Sequence, residues 1–286
     1  GDTGYHKLAR HFKWAFDKVF RENSDVGGVI VLEDDMEIAV DFFEMFLGLL
    51  PVLQNDPTLL TISAWNDNGK PQFASDPKKI YRSDFFPGLG WIMTRNLWNE
   101  LGPKWPDAYW DDWLRDPAQR KGRACLRPEV SRTHNFGAKG VSHGQYVVFS
   151  LSNRIGVKYE STRIVTSHTK THRYYNKNIA PVKLNDEFVP FREMKGLTKS
   201  LTQSNYDPVF KRDVNNVLLI QAVAQIRSSK EDVRLEYDNL KAFKRIAKQL
   251  GIMDDEKAGV PRTAYMGVVT IKFNGHRVHI APRGGV

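Results

Sequence analysis

The sequence predicts an α/β fold, with helices layered on a sheet that has parallel character. Three observations carry this. A helical period opens the chain, a run of four apolar residues follows it, and a second helix-like stretch leads to another short strand. Polar residues gather after each strand, as they do at the carboxyl ends of open α/β sheets.

The elements follow in order. Tyr5, Leu8, Phe12, Phe16 and Val19 recur at spacings of three and four, giving a helix with one apolar face and His6, Lys13 and Lys18 on the other. After Gly27-Gly28 comes Val29-Ile30-Val31-Leu32, whose unbroken apolar character predicts a strand buried on both faces. The next stretch, Asp41-Phe42-Phe43-Glu44-Met45-Phe46-Leu47, is helix-like, and Pro51 is expected to limit it to a few turns. Residues 60–65 form a second strand that ends on the turn formers Asn66-Asp67-Asn68-Gly69.

From Phe85 the composition changes. Phe85-Phe86-Pro87-Gly88-Leu89-Gly90-Trp91 is a glycine-punctuated aromatic loop, and six of the seven tryptophans lie between Trp65 and Trp113. Two readings stand: a wall of rings facing a ligand, or an aromatic core under long loops. Residues 146–182 hold eight serines and threonines and show no regular period after Val147-Val148-Phe149, as expected of an insertion of low order. Alternation returns over 233–237; Asp238 is placed to cap a helix through Leu240, Phe243, Ile246, Ala247 and Leu250, and Gly251 to end it. A hairpin closes the chain, with strands on either side of Asn274-Gly275.

Composition narrows the class. With 286 residues, 41% hydrophobic and 26% charged, the chain is long enough to bury a full core. Neither an apolar run of roughly 18 to 20 residues nor a signal peptide is found, so a soluble polypeptide is expected, with any membrane anchor outside it. The single cysteine, Cys125, excludes an internal disulfide and multi-thiolate metal sites. The net charge is 42 − 33 = +9. Residues 146–182 carry six basic residues against Glu160, or +5, which leaves +4 for the rest. One basic segment on a nearly neutral body reads as solvated surface, and no nucleic-acid partner is expected.

Chemistry concentrates in three places. Glu33-Asp34-Asp35 ends an apolar strand, where like charges raise one another's pKa unless a cation compensates them. Oxygen ligands suit Mg²⁺ or Mn²⁺, and alternation puts Glu33 and Asp35 on one side and Asp34 on the other; a solvated acidic turn is the alternative. Asp111-Asp112 sits between Trp110 and Trp113, where indole contact would raise a carboxyl towards general-base duty, or where both acids simply open a helix. The stretch from Arg132 to Gly144 has the glycines, histidines and lysine of a phosphate-binding loop without P-loop spacing. Gly140-Val141-Ser142-His143-Gly144 spells a nucleophile elbow, but no buried strand precedes it, so no serine triad is expected.

Taken in order, Val31-Leu32-Glu33-Asp34-Asp35, Ser63 to Lys70, Asp84 to Trp91, Trp110-Asp111-Asp112-Trp113 and Gly140 to Gln145 closely resemble the N-acetylglucosaminyltransferase I family of the Golgi. The resemblance implies a GT-A-type nucleotide-sugar transferase fold, incomplete at its N-terminus, with a small C-terminal α+β part. It divides the chain into 1–145, a partial catalytic domain; 146–173, an atypical basic insertion; and 174–286, a C-terminal part. It implies inverting transfer of N-acetylglucosamine from UDP-GlcNAc to the 2-hydroxyl of an α-1,3-linked mannose of an N-glycan. By the same resemblance Asp35 is the Mn²⁺ ligand, Asp111 the base, and Glu33, Asp34, His11, Leu89, Val141 and Ser142 contacts to the donor. The expected location is the lumenal side of the Golgi membrane, through an anchor that this chain lacks. An inactive remnant that binds glycan or nucleotide sugar is the competing class.

The chain departs from the family pattern in three ways. Relatives carry a tail, an anchor, a stem and the first part of the nucleotide-binding sheet ahead of its first residue. Residues 146–173 are extra, with a composition unlike either flank, as a retained intron would have. Animal relatives hold a cysteine near Thr61, which leaves Cys125 without that partner.

Overall fold

The computed structural model describes residues 3–136, 165–167 and 182–286. Helix α1 (Gly4–Glu22) buries Leu8, Ala9, Phe12, Phe16 and Phe20 along one face, as its period dictates. Strand β1 (Gly28–Glu33) turns through Asp34 and Asp35 into the short β2 (Met36–Ile38). Helix α2 (Phe42–Asn55) then runs straight through Pro51. Pro51 is expected to limit the helix to a few turns; it spans about four, continuing four residues beyond the proline. The carbonyl that proline leaves without its helical donor belongs to Leu47, an exposed residue, so water can satisfy it. Gly48 is required here, because a Cβ would collide with that of Met194.

Strand β3 (Leu59–Ile62) is wholly buried and followed by β4 (Ile80–Ser83) and β5 (Trp91–Thr94). Thr94 caps α3 (Arg95–Leu101) by accepting from the Leu97 amide. Helix α4 (Trp110–Arg115) carries the acidic pair in its first turn, and Asp116 caps α5 (Pro117–Arg120). Two strands, β6 (Ala124–Pro128) and β7 (Thr133–Asn135), complete the first half. Within the segment expected to lack regular structure, β8 (Val165–Ser167) pairs in parallel with β1.

Three short helices follow, α6 (Phe191–Gly196), α7 (Thr198–Leu201) and α8 (Gln203–Asn215), then β9 (Leu218–Ile220) and α9 (Val223–Ser228). Strand β10 (Val233–Tyr237) and helix α10 (Leu240–Leu250) form as predicted, with Gly251 in the left-handed region at φ 76°. The N-cap is Asn239 and not Asp238: Asn239 accepts from the Ala242 amide, while Asp238 pairs with Arg283. After β11 (Glu256–Lys257) and β12 (Val260–Pro261), the hairpin of β13 (Val269–Phe273) and β14 (His276–Pro282) turns at Asn274 and Gly275, both with positive φ.

The sheets are small and mixed. Strand β1 lies between antiparallel β5 and parallel β8; β6 lies between parallel β3 and antiparallel β4; β2 pairs with β7; and the C-terminal sheet runs β13-β14-β10-β9. Val29 and Val31 pack with α1 and the tryptophans, while Ile30 and Leu32 pack against the core around α2. One strand thereby divides two cores. A third core fills the space between α10 and the C-terminal sheet.

Of the two readings of the tryptophans, the core is the one found. Trp91, Trp98, Trp105 and Trp110 are buried with Phe12 and Phe16, in ring contacts of 4.6 to 6.0 Å. Cys125 is free and buried, burial pushes its thiol up to about 12, and it lies directly opposite Thr61 in the β3–β6 pair. No helix among the described residues is long and apolar enough to cross a membrane.

A buried ion pair ties these layers together. Arg132 reaches Asp41 at 2.8 Å with neither side chain exposed, and also donates to the Val130 carbonyl at 2.7 Å. Asn185 donates to the same carboxylate at 2.9 Å. Removing one member of such a pair strands a charge in a place with no water. Arg132→Met is expected to lose about 3 to 5 kcal/mol of stability in urea unfolding, whereas Lys18→Ala, which breaks the exposed Lys18–Glu22 pair on α1, leaves the midpoint unchanged.

Candidate active site

The site begins where β1 ends. Glu33 and Asp35 are buried and Asp34, between them, is exposed. The Asp35 carbonyl accepts from the Phe136 amide at 2.9 Å, and the next residue, Met36, pairs with Asn135 across β2 and β7. Burial pushes the Asp35 carboxyl up to about 7; the Glu33 and Asp34 carboxylates add to the rise, and a hydrogen bond with Asn135 opposes it.

The aromatic loop lies against the same strands. Gly88, Leu89 and Gly90 all adopt positive φ, at 71°, 53° and 85°. Left-handed backbone costs a residue with a Cβ roughly 1 to 2 kcal/mol, and here three hydrogen bonds enforce it. Ser63 donates to the Gly88 carbonyl, Thr133 to that of Leu89 and the Ala64 amide to that of Gly90, all at 2.7 Å. A Cβ at Gly90 would meet Thr133 Cγ2 at 2.6 Å, so only glycine fits. The Leu89 side chain packs with Trp65, Val182 and Met36, beside the acidic turn.

Asp111 is linked to β1 through the aromatic core. Val31 of β1 is the register partner of Trp91, which stacks on Trp110 at 5.6 Å, and Asp111 follows Trp110. Tyr109, just before α4, is also left-handed at φ 52°. Arg115 pairs with Asp111 at 2.8 Å and with Asp112 at 2.7 Å, and its Nε donates to the Phe86 carbonyl at 3.0 Å. Asp112 takes a second partner, Lys257, at 3.0 Å. Arg115 thus holds both acids, and Asp112 is shared between Arg115 and Lys257.

These contacts relate Glu33, Asp35, Leu89 and Asp111 to one another through β1 and the aromatic core, and His11 belongs to α1. That ring lies half-buried on α1, 5.6 Å from the Trp14 ring. Val141 and Ser142, like the glycines from 137 to 144, lie outside the described residues. Arg132 begins the stretch that sequence offered as a phosphate loop, yet its guanidinium is sealed against Asp41. His134 sits on β7 near Glu37, and burial lowers its pKa.

Sequence reasoning passed over the support beneath the site. Arg262 pairs with Asp67 and Asp255, each at 2.7 Å, and its guanidinium lies 5.0 Å from the Phe85 ring. Arg115 lies 4.8 Å from the same ring. The Asn66–Gly69 turn and the Asp111 helix are therefore tied to one phenylalanine. Only the aromatic run around Phe85 signalled this in the sequence.

Comparison with known proteins gives the family. The GNT-I family model matches residues 2–157 and 152–286. Alpha-1,3-mannosyl-glycoprotein 2-beta-N-acetylglucosaminyltransferase of Arabidopsis thaliana is 43% identical over 278 residues, covering 96% of this chain and 56% of that relative. The chain belongs to the GNT-I family. It spans about half the length of the curated relative it matches. The family match enters the 146–173 segment from both sides, further than the motifs alone reach.

The cation question has a direct test. An unfolded Asp35 loses its proton near 3.8 and the folded one near 7. Its contribution to stability is therefore complete below pH 3.8 and lost as pH rises to 7, up to about 4 kcal/mol. In EDTA, Asp35→Asn is expected to unfold at a higher temperature than the parent at pH 8, and to match it at pH 4. Mn²⁺ at pH 8 should raise the melting temperature of the parent and leave Asp35→Asn unmoved; differential scanning calorimetry reads both.

Proposed function

We propose that this chain is the catalytic part of an inverting, metal-dependent transferase built on a GT-A-type frame. It would move N-acetylglucosamine from UDP-GlcNAc to the 2-hydroxyl of an α-1,3-linked mannose of an N-glycan, on the lumenal side of Golgi membranes. The observation that carries the reading is the buried Asp35 carboxylate at the end of β1, joined through Val31, Trp91 and Trp110 to Asp111.

The residues at the strand end fit a hard divalent cation. Asp35 offers oxygen ligation from a buried position where both burial and Glu33 disfavour its charge. Asp35 would hold Mn²⁺ together with oxygens of the donor diphosphate. Bound there, the ion supplies charge neutralisation for the departing uridine diphosphate.

The chain's own residues do the rest. Glu33 and Asp34 are assigned to the hydroxyls of the donor sugars, with Leu89 setting the wall of the donor pocket through its fixed left-handed backbone. His11, Val141 and Ser142 are assigned as further donor contacts. Asp111, oriented by Arg115, accepts the proton of the mannose 2-hydroxyl as that oxygen attacks the anomeric carbon. A single displacement with one base inverts the anomeric centre and requires no covalent intermediate on the protein.

Transfer and binding assays on the purified chain test this. Asp35→Ala is expected to abolish Mn²⁺-dependent UDP-GlcNAc binding in calorimetry. Asp111→Asn should bind the donor with parental affinity while turnover falls by about 10² to 10⁴. Equal turnover in all three proteins would overturn the assignment, and a folded parent that binds donor without transferring it would make the chain a binding remnant.

A further inference from the structure

A second cavity lies away from the acidic turn, between α7 and α8 on one side and β4, β13 and β14 on the other, and it shares no residue with the candidate active site. Its volume is about 150 Å³, a space that accommodates one six-membered aromatic ring. The body of the cavity is apolar. Tyr206 and Phe210 stack at 5.7 Å along one wall, facing Leu197, Leu201 and the Tyr81 ring.

One end is polar and built. His279 is 97% buried, from its 3% exposure, and its Nδ1 lies 3.0 Å from the Thr270 hydroxyl, which also lines the cavity. The other ring nitrogen, Nε2, is buried with no hydrogen-bond partner among the described residues. Such a group calls for a ligand atom, since an unpaired buried polar atom is costly. In the tautomer in which Thr270 donates to Nδ1, Nε2 carries the proton and presents a donor to a ligand oxygen.

Charge sets the sign of that ligand. Arg277 and Lys79 both line the cavity. Arg277 donates to the Tyr81 hydroxyl at 2.6 Å, and that hydroxyl donates onward to Glu129 at 2.8 Å. Lys79 sits 5.6 Å from the Tyr81 ring and forms no ion pair among the described residues; burial and the neighbouring Arg277 lower its pKa. The other lining charges are already matched, Lys78 with Glu193 at 2.7 Å and Asp213 with Arg212 at 3.0 Å. An apolar, ring-sized body ending in two cations and an unpartnered imidazole nitrogen is complementary to a small aromatic anion.

We propose that this cavity is a binding site for a small aromatic monocarboxylate, its ring between Tyr206, Phe210 and Tyr81 and its carboxylate received by His279, Lys79 and Arg277. The site is independent of sugar transfer, so its failure and that of the proposed function are separable.

Titration of the purified chain with benzoate, followed by saturation-transfer NMR, tests it. Benzyl alcohol, which keeps the ring without charge, and acetate, which keeps the charge without the ring, serve as controls. Benzoate should bind saturably and at least tenfold more tightly than either. Val209 lines the mouth and is 46% exposed, so Val209→Trp should fold normally by circular dichroism and abolish binding. Lys79→Met should weaken benzoate at least tenfold without changing benzyl alcohol. Absence of saturable benzoate binding, equal affinity for benzyl alcohol, or parental binding by a folded Val209→Trp would each overturn the proposal.

Discussion

Asp41 and Arg132 meet where no water reaches, and four parts of the chain converge on them. The carboxylate sits at the start of α2, the guanidinium just before β7, and Asn185 arrives from the segment that follows residue 182. The Arg132 backbone extends the junction, its amide donating to Ala64 at 2.7 Å and its carbonyl accepting from Ala39 at 2.9 Å. A buried charge pair of this kind adds little net stability, but it tolerates one register only. Here that register is the pairing of β2 with β7, and it holds Asp35 against Asn135 and Thr133 against the Leu89 carbonyl.

A second constraint comes from the rings. Because Trp91 faces Val31 across the strand pair and stacks on Trp110, the position of α4 is referred to β1 by rigid groups rather than by loop conformation. The left-handed backbone at Leu89 and Tyr109 is stored at the two places where the chain must turn into this core. Non-glycine residues persist in such conformations only where their surroundings over-determine them, a recurrent feature of functional sites. Phe85, contacted by both Arg115 and Arg262, carries the same rigidity into the C-terminal part.

What the sequence disclosed follows from the range of the interactions involved. Period and punctuation are local, so α1, β1, β10, α10 and the Asn274-Gly275 hairpin are legible residue by residue. The acidic turn is legible for the same reason, since alternation alone separates Glu33 and Asp35 from Asp34. Helix α2 hides its full length because a proline signal is read without knowing that Leu47 faces solvent. Helices α6 to α8 are short and interrupted, so their buried residues, Met194, Leu201, Phe210 and Val214, show no sustained period. The Asp41–Arg132 pair joins residues 91 positions apart, and the Arg262–Asp67 pair residues 195 apart. No window of sequence contains either. The tryptophan density was ambiguous in principle, because rings that wall a ligand and rings that fill a core have the same composition.

If Asp35 and Asp111 act from opposite sides of one reacting sugar, as proposed, the stereochemistry of transfer reports on that arrangement. Proton NMR of the product formed from UDP-GlcNAc and a mannose-terminated glycan, taken early in the reaction, should show a single β-linked N-acetylglucosamine on the mannose 2-hydroxyl. An α-linked product, which a single inverting displacement cannot give, would contradict it.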